Sequence, residues 1–294
     1  MKQSKTKWLV GIVSSFSLAA ILVFFSLPLK GHIPVLMYHF IVPESEAGNT
    51  SLLLGVKKFH MQMWFLKTFG FRLISLDEFY AIKTGDQKPR GREVVVTFDD
   101  GDETYLYNAL PILERYQIPS VNFVVWDYME KEEQKSINLQ ELKQLSQYPL
   151  VTIGSQDLSN PNLREVSREQ ARAEIFLSKE KLEKALNRRI DYFAYPIGSF
   201  DESIMALVQE AGYRLAFRTR MKYLTGYPET MYSLARIKAH PKHNLFVFWL
   251  YVSGFDSYAK RIEASFLRLT GYHGNDKLAP YQLIPETTQV VVAK

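Results

Sequence analysis

The sequence predicts an α/β protein built on parallel strands and preceded by one transmembrane helix. Three observations carry this prediction: apolar runs alternate with segments of helical periodicity, one of those runs lacks polar alternation, and an uncharged segment lies near the N-terminus. Strands separated by helices of this length indicate βαβ units, in which neighbouring strands are parallel. The unbroken apolar run Val94–Val96 fits a strand that is covered on both faces.

Composition limits the function classes that need to be considered. The chain has 294 residues, is 47% hydrophobic and has no cysteine, which excludes a disulfide scaffold, a thiolate metal site and a thiol enzyme. The formal charge is +5, but Lys2, Lys5, Lys7 and Lys30 lie in a first segment without acidic residues. The remaining chain is close to neutral, so composition does not indicate the basic surface that nucleic-acid binding requires.

The N-terminal segment determines the predicted compartment. Trp8 to Leu29 contains no charged residue and is long enough to cross a bilayer as a helix. Three lysines precede this segment and only Lys30 closely follows it, which places the N-terminus in the cytoplasm by the positive-inside rule. We therefore expect a single-pass protein of the cell membrane with an extracellular main domain. The alternative is a cleaved signal peptide and secretion, although Ser26 to Gly31 contains no clear small-x-small cleavage site.

The chain after this segment alternates between predicted strands and helices, and Ser167–Leu186 is the best-supported helix. Ser167 and Gln170 form a capping-box signature, and four apolar residues from Ala171 to Leu186 recur at helical spacing. The predicted strands are Pro34–Tyr38, Phe71–Ile74, Glu93–Phe98, Ser120–Val125, Val151–Gly154, Tyr192–Tyr195 and Arg214–Phe217. The other predicted helices are Lys58–Thr68, Leu76–Lys83, Thr104–Tyr116, Leu139–Gln147 and Glu202–Ala211.

Such units can close into a barrel or lie open as a doubly wound sheet, and periodicity does not choose between these architectures. In both, functional groups gather at the carboxyl ends of the strands. The sequence predicts three parts: residues 1–31 with the lysines and the transmembrane helix, 32–255 as the α/β domain, and 256–294 as an extension to which we assign no function.

An acidic pair follows the strand Glu93–Phe98. Asp99 and Asp100 come directly after this strand, and Gly101 permits a tight exit. Two carboxylates at such a position can divide two tasks, because one can hold a divalent cation while the other accepts a proton from the water that the cation activates. The alternative for an isolated Asp-Asp-Gly sequence is a solvated turn whose aspartates cap a helix.

The sequence around the acidic pair resembles the first motif of the polysaccharide deacetylases, the NodB-homology domain of carbohydrate esterase family 4. The segments that carry the resemblance read VVVTFDDGDETYLYNALPILERYQIPSVNFVV, HIPVLMYHFI, FHMQMWFLKTFGFRLISLDEF and DYFAYPIGSFDESIMALVQEAGYRLAF. Together they cover about residues 32–240, and they are most similar to the exported deacetylases that act on poly-β-1,6-N-acetylglucosamine. The resemblance implies a distorted (β/α) barrel of about seven strands.

The resemblance also implies catalytic roles for three residues. Asp99 matches the catalytic base of the family, and Asp100 matches its metal-binding aspartate. His39 matches a histidine that lies at the active site of the poly-N-acetylglucosamine subgroup, where it can protonate the leaving amine. Without the resemblance, His39 would be interpreted as a partly buried structural histidine.

Further residues are predicted to form the substrate groove. Tyr195 and Pro196 match the family motif that lines the groove, in which the tyrosine backbone can help to stabilise the oxyanion. The alternative is that both residues only shape the exit from their strand. Arg236 lies in a further probable strand, near the late motifs of the family, and is predicted to belong to the groove.

The second family motif is altered in this chain. The family places two metal-binding histidines four residues apart, whereas the aligned segment here has Gln156 and Asn160 at those positions. Imidazole nitrogen is a good ligand for zinc, but a carboxamide offers only a neutral carbonyl oxygen. The resemblance therefore implies a zinc-type divalent metal, while the residues present predict that the pocket binds it poorly.

Two functions remain open from the sequence. The first is an exported, membrane-anchored polysaccharide deacetylase that removes acetyl groups from N-acetylglucosamine residues of a cell-surface polysaccharide. The second is a non-catalytic relative that binds glycan or a partner of the synthesis machinery, which the paired change at Gln156 and Asn160 favours.

Overall fold

The computed structural model describes residues 33–48, 50–130, 135–219 and 228–255. The predicted transmembrane segment and the C-terminal extension lie outside these ranges. Inside them, no helix has both the length and the apolar character that a membrane crossing requires. The strands are β1 (Val35–Tyr38), β2 (Phe40–Val42), β3 (Leu53–Gly55), β4 (Arg72–Leu73), β5 (Glu93–Phe98), β6 (Ser120–Val124), β7 (Val151–Ser155), β8 (Tyr192–Ala194), β9 (Leu215–Thr219) and β10 (Leu234–Lys238).

Helices follow most of these strands, and several begin at a polar capping residue such as Ser75, Asn138 or Asp201. They are α1 (Val56–Thr68), α2 (Leu76–Thr84), α3 (Leu110–Tyr116), α4 (Trp126–Glu130), α5 (Leu139–Leu145), α6 (Arg168–Leu186), α7 (Glu202–Glu210) and α8 (Leu245–Val252), with a π-helical turn over Tyr105–Ala109 and a 3-10 turn over Pro196–Gly198.

Seven parallel strands close into a barrel, which decides between the two architectures that periodicity left open. Strand β1 pairs with β10 on one side and with β5 on the other, and the strands β5 to β10 continue the ring in sequence order. The membership of the ring differs from the prediction in one respect. Strand β4 has only two residues and pairs with β5 outside the ring, and β10 takes the seventh place.

The predicted helices are present, with one local difference. Ser167 caps α6 by accepting a hydrogen bond from the Gln170 N–H, as its sequence signature predicts. The predicted helix Thr104–Tyr116 instead begins as the π-helical turn and becomes α-helical only at Leu110. Pro111 has no N–H, so it cannot make the regular helical bond at this position, and the local ladder changes there.

Apolar side chains fill the half of the barrel interior that is nearest the N-terminal ends of the strands. Val35, Val95 and Val121 point inward from three neighbouring strands and pack with Leu76 and Phe79 of α2. Helix α2 therefore plugs the end of the barrel where the strands begin. We call the opposite end, where the strands terminate, the mouth.

Gly154 of β7 leaves room for a ring that supports the mouth. A Cβ atom on Gly154 would overlap the Phe123 ring and lie 3.1 Å from the Tyr192 carbonyl oxygen. The Arg236 guanidinium carbon lies 5.3 Å from the centre of the same Phe123 ring. Because Gly154 has no side chain, the Phe123 ring can pack against this strand, and the buried Arg236 guanidinium lies over that ring.

We predict that Gly154→Ala lowers the free energy of unfolding by about 1–3 kcal/mol, because Phe123 must move inside a packed interior. Urea unfolding followed by tryptophan fluorescence measures this change. An unchanged unfolding midpoint would contradict the packing described for Gly154 and Phe123.

Candidate functional site

The mouth of the barrel brings together residues from four strands. His39 follows β1, Asp99 and Asp100 follow β5, Gln156 follows β7, and Arg236 lies on β10. All these strands are parallel, so the residues at their carboxyl ends meet at one end of the barrel. The predicted acidic pair, histidine and amide therefore belong to a single site.

Asp99 and Arg236 form a buried ion pair. The guanidinium binds the carboxylate with both terminal nitrogens, at 2.5 Å from Nη1 to Oδ1 and 2.7 Å from Nη2 to Oδ2. Arg236 is fully buried and Asp99 is 5% exposed. Arg236, predicted to belong to the groove, lies beneath the mouth, where its charge compensates that of Asp99.

His39 lies beside this ion pair. Its Nε2 atom is 4.0 Å from Asp99 Oδ2, a distance that places it near the carboxylate but outside direct hydrogen bonding. Burial lowers the pKa of His39 below 6.5; Asp100 and Asp99 oppose this change, while Lys238 and Arg236 add to it. His39 is therefore mainly neutral at pH 7, with one ring nitrogen as donor and the other as acceptor.

Asp100 and Gln156 make two hydrogen bonds to each other. The Asp100 N–H donates to Gln156 Oε1 at 3.3 Å, and Gln156 Nε2 donates to Asp100 Oδ1 at 2.7 Å. The backbone N–H can only donate, so the Gln156 oxygen must face it and the amide nitrogen must face the carboxylate. Asp100 also has a positive φ of 74°, a conformation that is uncommon for residues other than glycine.

Asn160 and Tyr128 extend this polar contact along the mouth. Gln156 Nε2 also donates to Asn160 Oδ1 at 3.4 Å, and Asn160 Nδ2 donates to Tyr128 Oη at 3.1 Å. The side chains from Asp100 to Tyr128 therefore form one hydrogen-bonded row, which we call the amide row (Asp100, Gln156, Asn160 and Tyr128).

The amide row does not fit a zinc-type cation. Gln156 presents a nitrogen to the Asp100 carboxylate, and a carboxamide nitrogen has no lone pair to give to a metal. Its oxygen already faces the Asp100 N–H, and the Asn160 oxygen already faces Gln156. Of the predicted ligand set, Asp100 alone supplies a ligand that zinc binds well.

Other histidines do not complete a metal site in the described ranges, where no three His, Asp or Glu side chains group as metal ligands. His60 bonds the Tyr116 hydroxyl at 2.8 Å on the outside of the barrel. The His243 ring stacks on Tyr251, and His240 Nδ1 accepts a hydrogen bond from the Lys242 N–H.

Two carboxylates hold the loop that carries the amides. Asp157 Oδ1 accepts a hydrogen bond from the Asn160 N–H at 2.7 Å, and Glu174 of α6 accepts from the Leu158 and Ser159 N–H groups. Burial, together with the charge of Glu174, raises the pKa of Asp157 well above its usual value. Asp157 caps the turn through its hydrogen bond from the Asn160 N–H, and the positions of Gln156 and Asn160 depend on this cap.

Tyr195 and Pro196 lie on the outer side of the barrel, which faces the surrounding helices. The Tyr195 ring stacks on Phe200, its hydroxyl donates to the Tyr232 carbonyl, and its N–H donates to the Phe217 carbonyl at 2.9 Å. The Tyr195 N–H is therefore hydrogen-bonded to the neighbouring strand and does not point to the position of an oxyanion. Pro196 is buried as well, and both residues lie at the exit from β8.

Sequence reasoning missed one residue of the mouth, Lys238, and assigned no site role to another, Tyr128. Tyr128 ends the amide row, and Lys238 lowers the pKa of His39 while its Nζ donates to Ser51 Oγ at 2.7 Å. The two-residue alternation of β10 places Lys238 on the same face as Arg236, which is the signal that could have identified it. Tyr128 is one of several tyrosines that follow predicted strands, a position that suits stacking on a sugar ring but is more often ordinary packing.

We predict that Arg236→Met lowers the free energy of unfolding by about 3–5 kcal/mol, because Asp99 is left buried without its partner. The double variant Asp99→Leu with Arg236→Met should recover most of this loss. Chemical denaturation of the two variants measures both effects.

The exposed pair Arg172–Glu210 provides the matched control, and Arg172→Met should change stability little. An Arg236→Met variant as stable as Arg172→Met would contradict the role of the buried pair.

We predict that Lys238→Gln raises the pKa of His39, and that Asp100→Asn lowers it further, because the two charges act on the imidazole with opposite sign. Titration of the imidazole resonances by NMR measures both shifts. His39 takes up a proton less readily in the folded protein than in the unfolded chain. Stability should therefore fall as pH decreases below 6.5, and His39→Gln should weaken this dependence. A His39 pKa that is the same in the unchanged protein and in both variants would contradict the arrangement of charges described for the mouth.

Comparison with known proteins shows a polysaccharide deacetylase domain in this chain. The sequence profile described as polysaccharide deacetylase matches residues 86–216. A poly-β-1,6-N-acetyl-D-glucosamine N-deacetylase of Staphylococcus aureus (strain MSSA476) is 25% identical over 198 residues, which cover 64% of this chain and 67% of the relative.

Solved structures agree with the profile. The deacetylase PplD of Streptococcus pyogenes, in complex with acetate, superposes with a TM-score of 0.65 at 26% identity and covers 74% of this chain and 95% of its own. IcaB of Ammonifex degensii is alike in fold, with a TM-score of 0.64 at 20% identity over 78% of this chain and 98% of its own. Residues 86–216 thus match a polysaccharide deacetylase domain, and the relatives of the chain include poly-β-1,6-N-acetylglucosamine N-deacetylases.

Proposed function

We propose that this protein is an exported, membrane-anchored member of the family that binds an N-acetylglucosamine-containing cell-surface polysaccharide without metal-dependent hydrolysis. The observation that carries the proposal is the pair of hydrogen bonds between Asp100 and Gln156. A zinc ion on Asp100 would have to displace the Gln156 amide nitrogen and gain no second strong ligand in exchange.

The mouth offers groups that suit a neutral sugar. His39 is mainly neutral, the Asp99 charge is balanced by Arg236, and Asn160 and Tyr128 present amide and hydroxyl groups beside Asp100. The acetamido group and hydroxyls of N-acetylglucosamine need donors and acceptors of this kind. Poly-N-acetylglucosamine is the polymer that we propose, because the Staphylococcus aureus relative is named for it.

The proposed location follows from the sequence of residues 1–31. The uncharged segment Trp8 to Leu29 would hold the protein in the cell membrane with the barrel outside, where the polymer is found. Release of the barrel after signal cleavage is the alternative location.

Hydrolysis is the second candidate function, and one observation favours it. The acidic pair is kept, and His39 lies 4.0 Å from Asp99, the residue that matches the catalytic base. Against this, each oxygen of Asp99 already accepts a hydrogen bond from Arg236, so an attacking water must compete with the guanidinium for the carboxylate.

A metal-rescue experiment separates the two functions. We predict that the unchanged protein binds β-1,6-linked N-acetylglucosamine oligomers in calorimetry and releases no acetate with Zn²⁺ present. The double variant Gln156→His with Asn160→His should gain one bound Zn²⁺ per chain, because two imidazoles then join the Asp100 carboxylate. Adding Asp100→Asn should abolish that gain.

Gln144→His with Gln209→His is the matched control, because it adds two imidazoles at exposed positions near the C-terminal ends of α5 and α7. It should bind Zn²⁺ no better than the unchanged protein. Acetate release by the unchanged protein, dependent on Zn²⁺ and on Asp100, would overturn the proposal and support hydrolysis. Absence of oligomer binding would also overturn it.

A further inference from the structure

Helix α1 presents an outer face that is both basic and apolar. Met61 is 42% exposed and Trp64 is 44% exposed, and the exposed residues Lys57 and Lys67 lie one turn before and one turn after them. These four residues, which we call the basic-aromatic face, recur at helical spacing on the side of α1 opposite its buried residues. Large apolar side chains exposed together on a folded protein mark an interaction surface.

The side chains of this face carry basic charge, and one acidic residue, Glu44, lies at its N-terminal end, where it accepts a hydrogen bond from the Lys57 N–H at 2.7 Å. Helix α1 contains no aspartate or glutamate, and within the described part of the chain Lys57 and Lys67 enter no ion pair. A helix with lysines around an exposed tryptophan and methionine is suited to an anionic lipid surface, where the apolar side chains enter the headgroup boundary and the lysines bind phosphate.

The fold places this face near the proposed membrane anchor. The chain enters the barrel at Ile33, which packs with Val35 and with α2 at the end where the strands begin. Helix α1 ends at Thr68 and leads directly to β4, which pairs with the first residues of β5 at that same end. From Lys30 to Ile33 the chain reaches about 10 Å, so an anchor ending near Lys30 keeps this end of the barrel close to the bilayer.

We infer that the basic-aromatic face of α1 docks on the anionic surface of the membrane that holds the anchor. This inference rests on the anchored location proposed above. Lys57 and Lys67 are ten residues apart, so the face extends for about 15 Å along the helix and would lie flat on the lipid. The barrel then rests on its side, and the mouth opens along the membrane surface rather than away from it.

The absence of cysteine allows a direct test on the full chain. Met61→Cys, labelled with an environment-sensitive fluorophore, is reconstituted in phosphatidylcholine–phosphatidylglycerol vesicles that contain a lipid carrying a nitroxide quencher near the headgroup. Leu177→Cys is the matched control, since Leu177 is 42% exposed on α6. We expect strong quenching at position 61 and little at position 177.

Charge provides the second readout. One lysine near an anionic surface changes the docked-to-undocked ratio about five-fold, so Lys57→Gln with Lys67→Gln should lower it about thirty-fold and remove most of the quenching at position 61. Vesicles of phosphatidylcholine alone should have the same effect.

Several outcomes would overturn the inference. Equal quenching at both positions would indicate an unspecific approach to the bilayer, and no quenching at position 61 in a chain that resists alkaline extraction would mean that the anchor holds but the face does not dock. A label at position 61 that is shielded without lipid, in proportion to protein concentration, would assign the face to a second copy of the chain. Extraction of the chain from the vesicles would refute the anchor, while oligomer binding by the same sample tests the glycan proposal separately.

Discussion

The orientation of one side-chain amide governs the chemistry of this barrel mouth. The Asp100 N–H is a donor only, so Gln156 must turn its oxygen toward it and its nitrogen toward the Asp100 carboxylate. Gln156 Nε2 then donates one hydrogen to the Asp100 carboxylate and the other to Asn160 Oδ1, at the positions where the family motif has two histidines. The amide row occupies the positions of the metal ligands in the family motif, and the Asp100 carboxylate keeps a hydrogen-bond donor, Gln156 Nε2.

Much of this arrangement follows from local sequence. Unbroken apolar strands such as β5 and the stripe of α6 predict parallel β/α units, and the carboxyl ends of those strands identify the mouth. The substitution at Gln156 and Asn160 is readable because the flanking residues align with the family motif. The turn that holds these amides is also local, since Asp157 caps it three residues ahead through the Asn160 N–H.

Other features depend on contacts between distant strands and could not be read from the sequence. Asp99 and Arg236 are 137 residues apart, and only closure of the ring at β1 places β10 close enough for them to pair. Side chains alternate between the two faces of β8, and this alternation sets the orientation of Tyr195. Its ring therefore stacks on Phe200, and its N–H bonds to Phe217 of β9. Strand β4 resembles a barrel strand in composition, but its two residues only flank the ring.

We propose that the mouth is a hydrogen-bonding surface instead of a metal centre, and anomalous diffraction tests this proposal most directly. Crystals of the protein soaked in Zn²⁺ should give no anomalous peak beside Asp100, and Gln156 Nε2 should remain within hydrogen-bond distance of its carboxylate. A peak bonded to Asp100 Oδ and to the Gln156 and Asn160 side-chain oxygens, at about 2.0–2.2 Å, would contradict the account.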